Sequence, residues 1–167
     1  MKLSRSELSA LTLKAGRGAG VPLSQAIEAS QVIAATDQED LSETLAAFLY
    51  ALNQTRCHPE GTQRNGIWTM SSDDLMQAIP AALDLAQAGE QVIALPGHFS
   101  DQWSRHRGFV PVSEGVLAPG PEREPAKGHA DLSADHFKAL NALAQRTYVP
   151  STEASRSGAG AGDIDNE

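Results

Sequence analysis

The sequence predicts a helix-rich α+β protein forming one domain, with N-terminal helices followed by a small sheet and a C-terminal helix with an extended tail. Three observations carry this. Apolar residues recur at helical spacing through the first third of the chain; short apolar runs bounded by Gly and Pro appear only after residue 60; a last capped helical stretch precedes a Gly- and Ala-rich tail. A chain of 167 residues can bury one substantial core, whereas two domains would each be small.

Ser4, with Glu7 three residues later, forms a capping-box signature, and Leu3 and Leu8 occupy the staple positions. Leu8, Leu11 and Ala15 then share a helical face, and Gly16, Gly18 and Gly20 should end that helix, with Lys14 and Arg17 near its negative end. Pro22 suits the first turn of a second helix, whose stripe runs through Leu23, Ala26, Ile27, Ser30, Ile33 and Ala34. Asp37 and Asp40 offer a cap for a third, in which Leu41, Leu45, Phe48, Leu49 and Leu52 keep the cleanest helical period in the chain. Three successive helices with short joints predict a helical hairpin or small bundle.

Residues 57–61 read as a loop and 67–70 as a short strand. Ser71 with Asp74, and Met70 with Leu75, make a cap and staple for a helix carrying Leu75, Ile79 and Leu83, which Pro80 should kink or restart. Residues 91–95 predict a buried strand ending at Pro96. Residues 109–112 and 116–117 predict two more, the first at an edge because of Pro111. Residues 118–131, with three prolines and two glycines, read as a loop or lid. Ser133 caps the last helix, with Phe137, Leu140, Ala144 and Thr147 on one face, and residues 148–167 form the tail.

The formal charge of −8 argues against nonspecific nucleic-acid binding or attachment to an anionic membrane, both of which need a basic footprint. No run approaches the roughly 18 apolar residues of a membrane helix. The start lacks the apolar core of a secretory signal, so a soluble, cytoplasmic protein is expected. Cys57 is the only cysteine, which leaves no intrachain disulfide framework and no Cys-rich zinc site.

Residues 14–20, Lys-Ala-Gly-Arg-Gly-Ala-Gly, place two cations and three glycines before a helix N-terminus, where Gly18, Ala19 and Gly20 could present backbone N–H groups to an anion. The same residues also suit a Gly-terminated helix with basic groups at its C-terminal end. The tail offers a second set: Arg146, Tyr148, Ser151, Ser155 and Arg156 could surround an anion, with Gly158, Gly160 and Gly162 allowing close backbone approach. A strap packed along the domain is the competing reading.

His98, Asp101 and His106, or His129, Asp131, Asp135 and His136, carry metal-ligand chemistry, but none shows the helical i, i+4 spacing of a metal motif, and neither metal nor cofactor is expected. His98 lies just beyond a predicted strand, where open α/β sheets place ligands. Cys57 beside His58 does not by itself make a nucleophile and base, and there is no Gly-x-Ser-x-Gly elbow. His98, Tyr148 and Glu28 are the candidate proton-transfer groups.

Ser6-Glu7 with the 14–20 stretch, and Arg146-Thr-Tyr-Val-Pro with Ser155-Arg156 and Gly158-Ala-Gly-Ala-Gly-Asp-Ile-Asp-Asn, together resemble the bacterial domain-of-unknown-function 3726 family. These stretches bracket nearly the whole chain. Where the family pattern carries Gly-x-Ala-Glu-Glu/Asp on the second helix, this chain has Ser24 and Ile27, so Glu28 stands without an acidic partner. The resemblance implies no activity. It does imply an ordered tail and a single site or packing unit containing both glycine-rich segments.

The functional expectation is a small-molecule site for a carboxylate or phosphate, extending to an enzyme of central or amino-acid metabolism if turnover occurs. Lys14, Arg17 and Arg156 would neutralise the ligand; Tyr148, Ser151 and His98 would contact the rest of it. The alternative is an accessory or interaction subunit, a homodimer or a protein's partner, with no ligand of its own.

Overall fold

A strand absent from the sequence reading, β1 (Lys2–Ser4), leads into α1 (Arg5–Gly18) in the computed structural model, which describes residues 1–71, 74–121 and 124–147. Ser4 closes the expected capping box: its Oγ accepts from Glu7 N at 3.2 Å, and Glu7 Oε2 accepts from Ser4 N at 2.7 Å. The helix runs through Gly16 and Gly18 and stops at a Schellman cap. Gly20, at φ 81°, donates to Arg17 O at 3.0 Å, and Val21 N donates to Gly16 O at 3.0 Å. That left-handed φ is the reason glycine stands at position 20.

Helices α2 (Leu23–Ala35) and α3 (Gln38–Leu52) follow where predicted, but Pro22 stands at the N-cap of α2 instead of in its first turn, and Asp37, at the N-cap of α3, makes no side-chain cap bond. The inward face of α2 differs from the expected stripe. Ala26, Ala29, Val32 and Ile33 are buried, whereas Leu23 and Ile27 remain 54% and 39% exposed. The reason lies in α1: a Cβ on Gly16 would stand 3.3 Å from Ala26 Cβ, so the two helices approach closely only through small residues. The bulkier Leu23 and Ile27 are turned outward.

Strands β2 (Gly61–Arg64) and β3 (Ile67–Met70) form a hairpin, with Asn65 and Gly66 both at positive φ, the geometry of a type I′ turn. Helix α4 (Leu75–Gln87) then crosses over to β4 (Gln91–Val92), which pairs parallel with β3. Asp74, rather than Ser71, is the cap: its carboxylate accepts from Met76 N at 3.2 Å. The helix continues through Pro80, so the expected restart does not occur. The strand expected over 91–95 shortens to two residues, and Ile93 turns to bridge Val116.

Helix α5 (His98–His106) is a nine-residue element that the sequence patterns do not predict. It forms because Phe99 and Trp103, one turn apart, both reach the core, in a run of tilted rings with Phe48 at centroid distances of 5.5 and 5.3 Å. Strands β5 (Phe109–Pro111) and β6 (Leu117–Pro119) pair antiparallel across a 3₁₀ turn at Ser113–Gly115. The 118–131 stretch is more than a loop or lid, since it also contains β7 (His129–Asp131), antiparallel to β1. Helix α6 (Ala134–Gln145), capped by Ser133 Oγ accepting from His136 N at 3.1 Å, returns against α1.

The described residues therefore form a helix-rich α+β fold with three small sheets instead of one. Leu8, Ile33, Leu45, Phe48, Leu83 and Leu140 show how one continuous core draws on five of the helices. Among the described residues, no helix is long and apolar enough to cross a membrane.

Candidate functional site

Lys14 and Arg17 lie three residues apart on the last turns of α1, a spacing that sets side chains side by side. With Leu13, Leu23 and Thr147 they line one cleft of about 390 Å³. Arg146, the C-cap of α6, adjoins it through Gly18: a Cβ placed on Gly18 would stand 3.4 Å from Arg146 Cβ. The fold thus brings Lys14, Arg17, Gly18 and Arg146 into one neighbourhood, with basic side chains around a wall of two leucines. Arg17 has a second task there, since its Nη1 donates to Val21 O at 3.0 Å and braces the end of the helix.

The backbone donors expected from this segment are already engaged. Ala19 N–H points to Ala15 O and Gly16 O, and Gly20 N–H to Arg17 O, in the helix cap. Gly18 lies inside the helix, where its missing side chain admits α6. The glycines of 14–20 therefore serve packing and termination, and the charge of the cleft comes from side chains.

Glu28 sits apart from this cleft, between α2, α4 and α5. Its Oε1 accepts from Trp103 Nε1 at 2.7 Å, and Arg107 holds both carboxylate oxygens, with Nε on Oε1 and Nη2 on Oε2 at 2.8 Å. Arg107 also donates to Asp84. Burial pushes the Glu28 pKa up, but the hydrogen bonds from Arg107 and Trp103 together outweigh it, and the group ends below the usual glutamate range. The guanidinium is correspondingly held more firmly protonated, first by its bond to Glu28. A carboxylate kept ionised and gripped by three donors ties helices together and makes a poor proton acceptor.

His98 opens α5 on the rim of a different concavity of about 470 Å³, lined by Asp37, Asp40, Asp101, Gln102 and Arg105 among others. Gln102 Nε2 donates to Asp40 Oδ2 at 3.1 Å and lies 3.3 Å from His98 Nε2. An amide nitrogen only donates, so this pairing makes His98 Nε2 an acceptor and, in the neutral ring, puts the proton on Nδ1, 3.8 Å from Glu43 Oε2. Burial raises the Asp101 pKa against the opposing charges of Arg105 and His98. Among the described residues, no three His, Cys, Asp or Glu side chains converge as metal ligands.

The residues proposed from the sequence therefore fall in three places: Lys14, Arg17, Gly18 and Arg146 around the basic cleft, Glu28 in an interhelical ion pair, and His98 beside acidic side chains. Tyr148, Ser151, Ser155, Arg156, Gly158, Gly160 and Gly162 lie outside the described residues. Sequence reasoning missed the cleft's apolar wall, because Leu23 was assigned to the core stripe. It also missed Arg107 and Trp103, which reach Glu28 from 79 and 75 positions away, a separation that leaves no local signal. No family model, curated protein or solved structure matches this chain.

Proposed function

We propose that this protein binds a small anion that joins a carboxylate or phosphate head to an apolar body, at the cleft between the end of α1 and the start of α2. The observation that carries this reading is the shared lining: Lys14 and Arg17 supply charge, Arg146 adjoins them, and Leu13 and Leu23 supply an apolar wall in the same concavity. Binding sites characteristically combine apolar lining with a few placed polar groups. Leu23 supports the assignment independently, as a large apolar side chain 54% exposed at the rim, with Ile27 one turn beyond it. Recognition then rests on cationic side chains, Arg17 already oriented by its bond to Val21 O.

Titration with hexanoate and hexyl phosphate, followed by calorimetry, tests the reading. Wild-type protein should bind at least one of them, and Lys14→Glu should weaken that binding by roughly tenfold or more, the equivalent of ~1.4 kcal/mol. Binding that is absent from wild type, or unchanged in Lys14→Glu, excludes the cleft as an anion site.

A further inference from the structure

We infer that the protein pairs with a second copy of itself along the outer edge of β2, joining their two three-stranded sheets into one continuous sheet. In the order β2-β3-β4, β2 is an edge strand, and among the described residues it pairs with β3 alone. All four of its residues, and Glu60 before it, are exposed. Such an edge is a template for another strand unless it is covered, bulged or interrupted by proline. Residues 61–64 contain no proline and pair with β3 residue for residue, without a bulge.

The hydrogen-bond phase decides which backbone groups are on offer. Arg64 and Ile67 close the two-residue turn, and Ser71 N donates to Glu60 O at 2.7 Å, so residues 60, 62 and 64 turn their backbone groups towards β3. Trp68, opposite Gln63, sends its carbonyl the other way, accepting from Ile93 N at 2.9 Å. Gly61 and Gln63 therefore present their N–H and C=O groups at the open edge.

Charge then selects the partner. Glu60 and Arg64 stand two residues either side of Thr62. A two-fold axis at Thr62 sets two β2 strands antiparallel, with Gly61 of each exchanging N–H···O=C bonds with Gln63 of the other. The same register puts Arg64 of each copy opposite Glu60 of the other, and Thr62 opposite Thr62. These are the non-hydrogen-bonded pairs, whose side chains lie closest. A slip of one residue loses both ion pairs and offers backbone groups already bonded to β3. Pro59, which has no N–H, and the Asn65-Gly66 turn end the ladder on its two sides. Gly61 leaves room at this edge for Trp68, whose ring lies 3.3 Å from the point where a Cβ would stand, and Gln63 of the second copy packs beside it. A contact of this symmetry closes at two copies. None of these residues lines the Lys14/Arg17 cleft, so the contact is independent of anion binding.

Sedimentation of the full chain over a concentration series tests the pairing. A short edge contact is weak, so the average mass should rise from one chain towards two at a concentration on the order of 100 μM. Arg64→Glu sets like charges opposite each other twice and should raise the dimer dissociation constant roughly tenfold or more, and Glu60→Arg/Arg64→Glu should return it to within about threefold of wild type. A chain that stays single up to about 1 mM, or a dimer whose affinity does not fall and recover in that order, overturns the inference. The register has its own measurement, made in full-length protein with the exposed Cys57 replaced by Ser. Thr62→Cys should form a disulfide between two copies under mild oxidation, because Cα atoms facing each other in a non-hydrogen-bonded pair lie ~4.5 Å apart, within disulfide reach. Thr69→Cys, exposed on the neighbouring strand, should not. Equal cross-linking at the two positions, or none at Thr62→Cys, also overturns the inference.

Discussion

The carbonyl oxygen of Leu143 on α6 lies 1.8 Å from the point where a Cβ on Gly18 of α1 would stand. No side chain fits in that space, and the obstacle is backbone, which cannot rotate away. Gly18→Ala must therefore push α1 and α6 apart. Overpacking of this kind costs ~1–3 kcal/mol or more, against ~1 kcal/mol gained by alanine's better helix propensity. Because the clash is with backbone at 1.8 Å, the upper end of that cost applies, and a net loss of about 2 kcal/mol is expected in urea unfolding. Unchanged stability would mean that α6 does not approach α1 as described.

Glu28→Gln removes the charge that Arg107 and Trp103 grip. Both carboxylate and guanidinium are about one-fifth exposed, at 21% and 19%, so the expected loss at neutral pH is about 1–3 kcal/mol, short of that for a fully buried pair. The pH dependence has a defined sign. Because the folded-state pKa of Glu28 lies below its ordinary value of 4.5, the stability it contributes is present above that value and disappears as pH falls through the lowered one. Denaturant melts of the two proteins at a series of pH values should converge in acid. A constant gap would show that the difference comes from packing and not from ionisation.

Asp74 accepts from Arg56 Nη1 at 2.7 Å, from Cys57 N at 3.2 Å and from Met76 N at 3.2 Å, with its side chain fully buried. Asp74→Ala loses a helix cap and strands Arg56 in one step, and a loss of about 3 kcal/mol is expected. Arg56→Ala/Asp74→Ala should cost less than the sum of the single changes, because the second removes a group the first has already orphaned. Strict additivity in a double-mutant cycle would sink this account.

Arg17→Ala loses the bond to Val21 O that braces the end of α1, and a loss of about 0.5–1.5 kcal/mol is expected in thermal unfolding. Unchanged stability would deny Arg17 its bracing role.

The helices were legible wherever their signals were local. Ser4 with Glu7, and Ser133 before α6, are caps made by residues three apart or fewer, and both are found as read. The Asn65-Gly66 pair is an equally local hairpin signal, and it joins β2 to β3. What could not be read from pattern was which of two apolar stripes on α2 turns inward, because that depends on Gly16 of a different helix. The short strands β1 and β7 were hidden for a related reason: each is three residues long and exists only through the other. At the candidate site the two cations were legible and their apolar wall was not, since Leu23 resembles a core residue until the packing of α2 is known.

The pairing of β1 with β7 and of α1 with α6 has a consequence for the order in which the molecule can be assembled on a ribosome. More than a hundred residues separate the end of α1 from the start of α6. At 5–20 residues per second, α1 waits about 6–25 s after its own synthesis for the helix that covers it. Over that interval α2 can shield part of it, through the close approach of Gly16 and Ala26, with Phe48 of α3 beside them, while the groove at Gly18 stays open. The neighbourhood of Lys14 and Arg17 is thus among the last parts of the protein to take its final form, completed only when Leu143 arrives against a helix made long before.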